Sequence, residues 1–277
     1  MAAIERSRVR HSFDTHATGY ESHARVQKRV VQRLAELLDG EGHGPRRVLD
    51  IGAGTGRLLE EIASRYPRAW LAGIDLAFRM ARASRNNIGE SAHIITGDAE
   101  QLPFATGVFD LVVSTSMFQW LDALDAAFAE ALRVMAPGGS FRFALFGYAT
   151  LFELRSAYRR SHALIRREEE TRTHSFPLAA QVESALDRCG FIECKAWSEL
   201  EITHYPDVPT LLRAIRGIGA GVTTPPTSSG LAERRIMLTM MDIYRQEYAV
   251  PAGIPATYEV VYGAGRKPEE SRTARSE

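Results

Sequence analysis

A carboxylate and three glycines stand close together in "VLDIGAGTGRLLEEI", residues 48–62, which reads as a strand, a tight turn and a helix. Asp50 belongs to the apolar strand, and Gly52, Gly54 and Gly56 form the turn. Because glycine has no Cβ, the backbone of such a turn can approach a ligand closely. The dinucleotide fingerprint G-x-G-x-x-G would place its third glycine one residue later, so the turn gives no evidence of a pyrophosphate. A tight turn without any ligand is the alternative interpretation.

Three more polar sites follow predicted strands farther along the chain. Asp75 ends "AWLAGID", Asp98 ends "AHIITGD", and Ser114 and Thr115 end "VFDLVVST". Because ligands of parallel sheets bind beyond the carboxyl ends of the strands, these side chains should share one crevice. Asp75 stands where an acidic residue binds ribose hydroxyls in nucleotide-binding folds. This position fits NAD and S-adenosylmethionine equally well, and a solvated aspartate at a strand end is the alternative.

Short apolar stretches alternate with helical stretches through the first half of the chain, which predicts a parallel sheet flanked by helices. The predicted strands are 46–52, 69–75, 92–98, 108–115, 140–147, 191–203 and 256–266. Helical spacing of apolar residues predicts helices at 21–39, 76–87, 124–135, 150–169, 178–189, 208–219 and 230–247. The helices at 150–169 and 208–247 have no place in a minimal doubly wound domain, and they could cover the mouth of the crevice.

This pattern divides the chain into a central sheet and added segments. The predicted parts are an N-terminal helical cap (1–40), an α/β core (41–148), helical lid and substrate elements (149–177 and 205–250), completion of the core sheet (178–204 and 255–266) and a disordered tail (267–277).

Composition excludes several classes of function. Lys+Arg and Asp+Glu are equal at 34 each, so no global field attracts nucleic acid or an anionic membrane. Cys189 and Cys194 are too few for a disulfide framework, and no set of metal ligands is visible. We find no signal peptide and no apolar run long enough to cross a membrane, so a cytoplasmic location is expected.

At this point the sequence resembles the class I S-adenosylmethionine-dependent methyltransferases over about residues 45–147. The resemblance rests on "VLDIGAGTG", "LAGIDLA", "GDAEQLPFATGVFDLVVS" and "LRVMAPGG", in that order. It implies an α/β fold with a doubly wound, mostly parallel seven-stranded sheet of the Rossmann-like type, extra lid helices, and S-adenosylmethionine as cofactor without a metal.

The same resemblance implies roles for individual residues. The glycine turn would pass under the methionine part of the cofactor, and Asp50 would orient the turn or the cofactor's ammonium group. Asp75 would bind both ribose hydroxyls, and Asp98 with the Ala99 backbone would read the adenine edge. Leu76 and Ser114 complete the predicted cofactor site.

Three further segments resemble the malonyl-[acyl-carrier protein] O-methyltransferases of biotin synthesis, which extends the resemblance to about residue 267. They are "FDTHATGYESHARVQ", "MFQWLDAL", and "LLRAIRGIGAG" with the distant "ATYEVVYGAGRK". The resemblance implies methyl transfer to the free carboxylate of a malonyl thioester. The implied partner is an acyl-carrier protein that carries malonyl-phosphopantetheine, with neither nucleic acid nor membrane involved.

Such an acceptor needs positioning rather than a strong base, because an aliphatic carboxyl is ionised at pH 7. A guanidinium suits that task, and we predict Arg213, with Arg216 beside it, in this role. Tyr20 could close over the cofactor, while Gln119 and Trp120 could line the acyl pocket. The alternatives are surface positions for the arginines and ordinary packing for the aromatic residues.

A basic stripe on the predicted helix 150–169 could bind the acidic carrier protein. At about 100° per residue, Arg155, Arg159, His162 and Arg166 fall on one side of that helix. A solvated charged face is the alternative, and the following "REEE" weakens the field.

Three other functions compete with this hypothesis. A methyltransferase acting on a quinone precursor shares much of the core pattern, and His16, His23 or His204 could serve as its base. An NAD-dependent oxidoreductase is disfavoured by the misplaced glycine. A non-catalytic S-adenosylmethionine binder could be excluded only by an activity assay.

Overall fold

The computed structural model describes residues 6–39, 44–166, 176–220 and 230–269, and its sheet has seven strands. These strands are β1 (Arg47–Ile51), β2 (Trp70–Asp75), β3 (His93–Thr96), β4 (Phe109–Thr115), β5 (Met135–Phe146), β6 (Ile192–Tyr205) and β7 (Ile254–Arg266). Their order is β3-β2-β1-β4-β5-β7-β6, in which β7 is antiparallel to both of its neighbours and the other pairs are parallel. The predicted doubly wound, mostly parallel sheet is therefore confirmed.

Ten α-helices occur in the described part of the chain. They are α1 (Arg6–His16), α2 (Tyr20–His23), α3 (Arg25–Leu37), α4 (Arg57–Arg65), α5 (Phe78–Ile88), α6 (Asp125–Val134), α7 (Phe152–Arg166), α8 (Ala179–Cys189), α9 (Val208–Gly217) and α10 (Leu231–Tyr248). None of the described helices is long and apolar enough to cross a membrane.

The strand order reverses between β1 and β4. In sheets of this type a ligand crevice opens at that point, beyond the carboxyl ends of the strands. Leu49 of β1 pairs in register with Ala72 of β2 and Val112 of β4, and all three are buried. Helices cover both faces of such a sheet, so its central strands are nearly continuous apolar runs. The sheet thus holds the four polar strand ends on one rigid edge.

Two predicted elements differ from the observed ones. The predicted helix 21–39 is divided into α2 and α3 at Ala24, which is buried and has φ −78° and ψ 44°. Strand β5 begins at Met135 rather than at residue 140, because Met135 pairs with Phe109 before an irregularity in the register.

The added helices pack on the core through a few apolar contacts. Helix α1 lies on α5, and Ala17, directly after α1, is buried in one cluster with Ala77 and Met80, against which Phe13 of α1 packs. Helix α7 packs along α10, and the buried Glu153 of α7 binds the Thr257 side chain of β7 at 2.5 Å. These contacts place α1 and α7 beside the carboxyl edge of the sheet. The predicted division into cap, core, lid and tail remains a prediction, and most of the predicted tail lies outside the described residues.

Candidate functional site

A crevice lies at the carboxyl ends of β1, β2 and β4, under helix α1. The core side of the crevice is lined by residues that follow the strands, among them Gly52, Gly54, Asp75, Leu76, Asp98, Ala99 and Thr115. Its cover contains Arg6, Val9, Arg10, Phe13, Tyr20 and Trp120.

The three glycines of the turn have different reasons to be glycine. All have positive φ: 79° at Gly52, 55° at Gly54 and 89° at Gly56. A Cβ on Gly52 would lie 2.4 Å from Cγ of Met117, whereas a Cβ on Gly54 would meet nothing within 4 Å. A Cβ on Gly56 would lie 2.6 Å from both Ile88 Cδ1 and Ser84 Oγ. Gly54 therefore leaves the crevice open, while Gly56, which does not line it, is required for packing against α5.

Asp75 is held rigidly by backbone groups at the end of β2. Its Oδ2 accepts a hydrogen bond from the N–H of Gly54 at 2.8 Å, and its Oδ1 accepts one from the N–H of Ala77 at 2.8 Å. Burial raises the pKa of Asp75 to about 6, although these two hydrogen bonds lower it. The carboxylate keeps free lone pairs toward the crevice, which suits the binding of two hydroxyl groups.

Asp50 lies beneath the glycine turn and is 1% exposed. Its Oδ1 has no hydrogen-bond partner within the described residues. Burial, and to a lesser extent the charge of Asp75, raise the pKa of Asp50 to about 8. A buried carboxylate oxygen without a partner is costly, and a cation or donor group placed there would satisfy it. Asp50 is not among the residues that line the crevice, and its role toward a ligand's ammonium group stays a prediction.

Asp98 at the end of β3 is covered by the first helix. Nη1 of Arg6 lies 3.1 Å from Oδ2 of Asp98, and Nη2 lies 3.3 Å from Oδ1. Arg6 also contacts Glu100, whose backbone N–H donates to Asp98 at 2.9 Å. Because Leu76 and Ala99 line the crevice nearby, this end could hold a flat, apolar ring with a polar edge.

Ser114, like Gly56, is a predicted cofactor residue that lies outside the lining of the crevice. Ser114 does not line the crevice: its side chain is buried and donates to the carbonyl oxygen of Ile51 at 2.6 Å. Thr115 and Ser116 line the crevice instead. Ser116 has φ 55°, and its buried Oγ has no partner within the described residues. A non-glycine residue in this conformation often marks a functional site, so Ser116 joins the candidate site.

Aromatic residues line the crevice away from Asp98. Trp120 and Phe13 meet edge to face with their ring centroids 5.6 Å apart. Tyr20 lines the crevice between the glycine turn and Phe13, and burial, Glu21 and Asp75 together raise its pKa. Tyr20 therefore stays a neutral hydroxyl at physiological pH. Gln119 is buried behind this wall, where its Nε2 donates to the carbonyl oxygen of Ser116 at 2.7 Å.

The predicted acceptor arginines lie outside the crevice. Arg213 and Arg216 are exposed on α9 and do not line the crevice. Nη2 of Arg213 donates to Oγ1 of Thr210, on the same helix, at 2.7 Å. Helix α9 nevertheless lies close to the crevice cover, because its last residue, Gly217, contacts His23 of α2.

The basic stripe on α7 is not a continuous exposed face. The guanidinium of Arg155 is half-buried, donates to the carbonyl oxygen of Tyr148 and lies 5.4 Å from the centroid of that ring. Arg166 approaches Glu233 of α10 at 3.6 Å, and His162 is buried. Of the four predicted residues only Arg159 is exposed, because Arg166 approaches α10, Arg155 contacts the loop before α7 and His162 is buried.

The sequence reasoning missed the cations of the crevice cover. Arg6 and Arg10 line the crevice from α1, one helical turn apart. Arg10 is exposed and has no carboxylate oxygen within 4.0 Å among the residues described. Helical spacing would have put both arginines on one face of α1, but no local signal shows which face covers the sheet. The described part of the chain contains no group of three metal-ligating side chains.

Comparisons with solved structures agree with this architecture. The YcgJ protein of Bacillus subtilis is 17% identical and has a TM-score of 0.59, with 87% of this chain and 99% of that chain covered. Phosphoethanolamine N-methyltransferase 2 of Haemonchus contortus, solved in complex with S-adenosyl-L-methionine, is 20% identical and has a TM-score of 0.55. That match covers 92% of this chain and 57% of the other. At these low identities, both similarities show only that the fold is shared.

Sequence relatives define the family. A family model described as a methyltransferase domain matches residues 49–143. The malonyl-[acyl-carrier protein] O-methyltransferase of Laribacter hongkongensis is 36% identical, over 95% of this chain and 90% of the relative. The enzyme of the same name from Geobacter sulfurreducens is 48% identical, over 95% of this chain and 100% of the relative. Similarity of this extent over the whole length shows that the chain belongs to the malonyl-[acyl-carrier protein] O-methyltransferase family.

Proposed function

We propose that this protein transfers the methyl group of S-adenosylmethionine to the free carboxylate of a malonyl unit carried by an acyl-carrier protein. The observation that carries the proposal is the pairing of a fitted cofactor crevice with 48% identity to a malonyl-[acyl-carrier protein] O-methyltransferase over nearly the whole chain. The product would be the malonyl methyl ester that primes biotin synthesis, and a cytoplasmic location is part of the proposal.

The residues of the crevice suit each part of the cofactor. Asp75 would bind the ribose hydroxyls and Asp98 with Ala99 the adenine, while the buried Oδ1 of Asp50 would face the ammonium group. Gly54 leaves room for the methionine part. When bound, the cofactor supplies an electrophilic methyl group. No metal is needed for this chemistry.

The acceptor carboxylate supplies its own electron pair, so the enzyme has to position it and exclude water rather than remove a proton. Phe13 and Trp120 provide an apolar wall for the acyl thioester. The neutral hydroxyl of Tyr20 could donate a hydrogen bond to the substrate. Arg10 is the cation of the crevice cover that is available to an anionic substrate, while Arg213 and Arg216 would need a movement of α9 to reach it.

The acidic carrier protein remains the proposed partner. Arg159 is the exposed member of the predicted α7 stripe, and Arg155 and Arg166 would have to leave their present contacts to join it. If α7 is the docking helix, Arg159→Glu will raise the KM for the carrier-bound substrate and leave the binding of S-adenosylhomocysteine unchanged. An unchanged KM would remove α7 from the interface.

The proposed reaction is tested by transfer of labelled methyl from S-adenosylmethionine to malonyl-acyl-carrier protein, beside malonyl-coenzyme A, free malonate and a phenolic quinone precursor. A base-labile label on a malonyl thioester is expected, because a methyl ester is hydrolysed by base. Stable label on the phenolic compound alone would discard the malonyl acceptor and retain the methyltransferase. No transfer to any acceptor would contradict the proposal.

A further inference from the structure

A second cavity continues from the crevice past the glycine turn. The two cavities share part of their lining: Tyr20, Gly52, Gly54, Thr115 and Ser116. Helix α2 and the start of α3 close the second cavity on its outer side, where Glu21, Gln27 and Lys28 line it. The second cavity therefore lies where the glycine turn would present the amino-acid end of the cofactor.

A single carboxylate bridges two donors in this cavity. Oγ1 of Thr55 donates to Oε1 of Glu21 at 2.5 Å, and Nζ of Lys28 lies 3.1 Å from Oε2. Nζ of Lys28 also donates to the backbone carbonyl oxygen of Glu21 at 2.7 Å. Thr55 is 5% exposed, whereas the Glu21 and Lys28 side chains are each 39% exposed. A buried hydroxyl and an ammonium group that converge on two carboxylate oxygens form a binding site for a carboxylate.

The amino-acid end of the cofactor carries an ammonium group and a carboxylate. Asp50 lies beneath the turn and suits the ammonium, so the carboxylate needs a cation on the other side of the turn. The other described cations that line the cavities are placed elsewhere. Arg6 is engaged with Asp98, Arg10 lies on the crevice cover, and Arg57 is directed to Glu60 at 4.0 Å. Lys28 is the cation that shares a ligand with the buried Thr55.

We propose that Thr55 and Lys28 form the subsite for the cofactor carboxylate, and that the Glu21 side chain occupies this subsite and must leave it when the cofactor binds. The inference rests on the cofactor of the proposed function, not on its acceptor. Two carboxylates cannot share one subsite, because like charges at this distance repel each other. Glu21 thus competes with the cofactor for the same two donors. Since Glu21 follows Tyr20 on the four-residue helix α2, its departure would also reposition Tyr20 over the crevice.

The test compares two ligands that differ in the amino-acid end. S-adenosylhomocysteine has the carboxylate, and 5′-methylthioadenosine lacks the whole amino-acid group. Isothermal calorimetry on the 277-residue protein gives the Kd of each. Glu21→Gln should lower the Kd of S-adenosylhomocysteine by about two- to fivefold, because the competing charge is removed. Lys28→Met should raise it by about tenfold, because a charged hydrogen bond is lost. Neither change should alter the Kd of 5′-methylthioadenosine.

The matched control is Glu36→Gln, which removes the same charge from the exposed end of α3 and should change neither Kd. The proposal is overturned if Glu21→Gln weakens or leaves unchanged the binding of S-adenosylhomocysteine, or if either variant changes the two ligands equally. If the Kd shifts are as expected but no malonyl compound is methylated, the acceptor of the proposed function fails and this subsite stands.

Discussion

The guanidinium of Arg6 lies across the carboxylate of Asp98, with two nitrogen–oxygen distances of 3.1 and 3.3 Å, although 92 residues separate them in the sequence. This pair joins the first turn of α1 to Asp98 after β3, at the end of the crevice where we propose that adenine binds. The helix that covers the crevice is therefore held by an ion pair to a residue that we propose contacts the cofactor.

We expect Arg6→Ala to speed the dissociation of S-adenosylhomocysteine by about two- to fivefold, because α1 loses its polar attachment to Asp98 and Glu100. Stopped-flow fluorescence, with Trp120 as a reporter in the crevice wall, would measure the rate. Arg82→Ala is the control, since Arg82 is exposed on α5 and does not line the crevice. An unchanged or slower rate in Arg6→Ala would show that this pair does not hold the cover closed.

The buried Asp50 predicts a pH-dependent loss of stability in the ligand-free protein. Its folded pKa of about 8 lies above its usual value of 3.8, so the unfolded state releases this proton at lower pH. The stability contribution of Asp50 is complete below about pH 4 and is lost as the pH rises to about 8. Asp50→Asn should therefore raise the Tm at pH 8.5 and change it little at pH 4, in thermal scans without cofactor.

Two results would test the cause of this effect. Asp242→Asn removes an exposed aspartate of α10 and should give no gain that grows with pH. Asp50→Asn should also bind S-adenosylhomocysteine more weakly than the wild type, because the partner of the ammonium group is lost. A Tm gain of the same size at pH 4 and 8.5 would refute the assigned pKa shift.

The glycine turn allows binding and packing to be separated. Gly54→Ala adds a methyl group in open space of the crevice, so S-adenosylhomocysteine should bind at least about tenfold more weakly, with a backbone strain of about 1–2 kcal/mol. Gly56→Ala drives a methyl group against Ile88 and Ser84. The free energy of unfolding should therefore fall by about 1–3 kcal/mol in addition to the backbone strain. Calorimetry gives the Kd, and urea unfolding gives the stability. If both variants lost stability equally and neither lost affinity, Gly54 would not face the cofactor.

Much of the crevice could be predicted from local sequence because its core side follows the strand ends. The glycine turn, Asp75 and Asp98 each stand directly after an apolar run, and the order of the strands brings them together. The position of the Ser114 side chain could not be predicted, for a physical reason. Strand β4 is buried on both faces, so its composition does not alternate and cannot show which hydroxyl faces the crevice.

The cover of the crevice could not be predicted in the same way. The Arg6–Asp98 and Glu21–Thr55 contacts depend on how α1 and α2 settle on the sheet, and no short-range pattern encodes that docking. The amphipathic spacing of α7 predicted the helix correctly. The spacing could not show that Arg166 contacts α10 and that Arg155 contacts the loop before α7.

We predict different effects on catalysis when Arg10 and Arg213 are each replaced by alanine. Arg10 lines the crevice, whereas Arg213 is exposed on α9 and bonded to Thr210. We expect Arg10→Ala to lower kcat/KM for malonyl-acyl-carrier protein by about tenfold, the loss of one charged hydrogen bond, without a change in the Kd of S-adenosylhomocysteine. Arg213→Ala should change kcat/KM by less than about twofold, as is usual for an exposed side chain. Steady-state rates for both variants, with Arg82→Ala as the control, decide between them. A large loss in Arg213→Ala alone would mean that α9 moves over the crevice during turnover and brings the predicted arginine to the substrate.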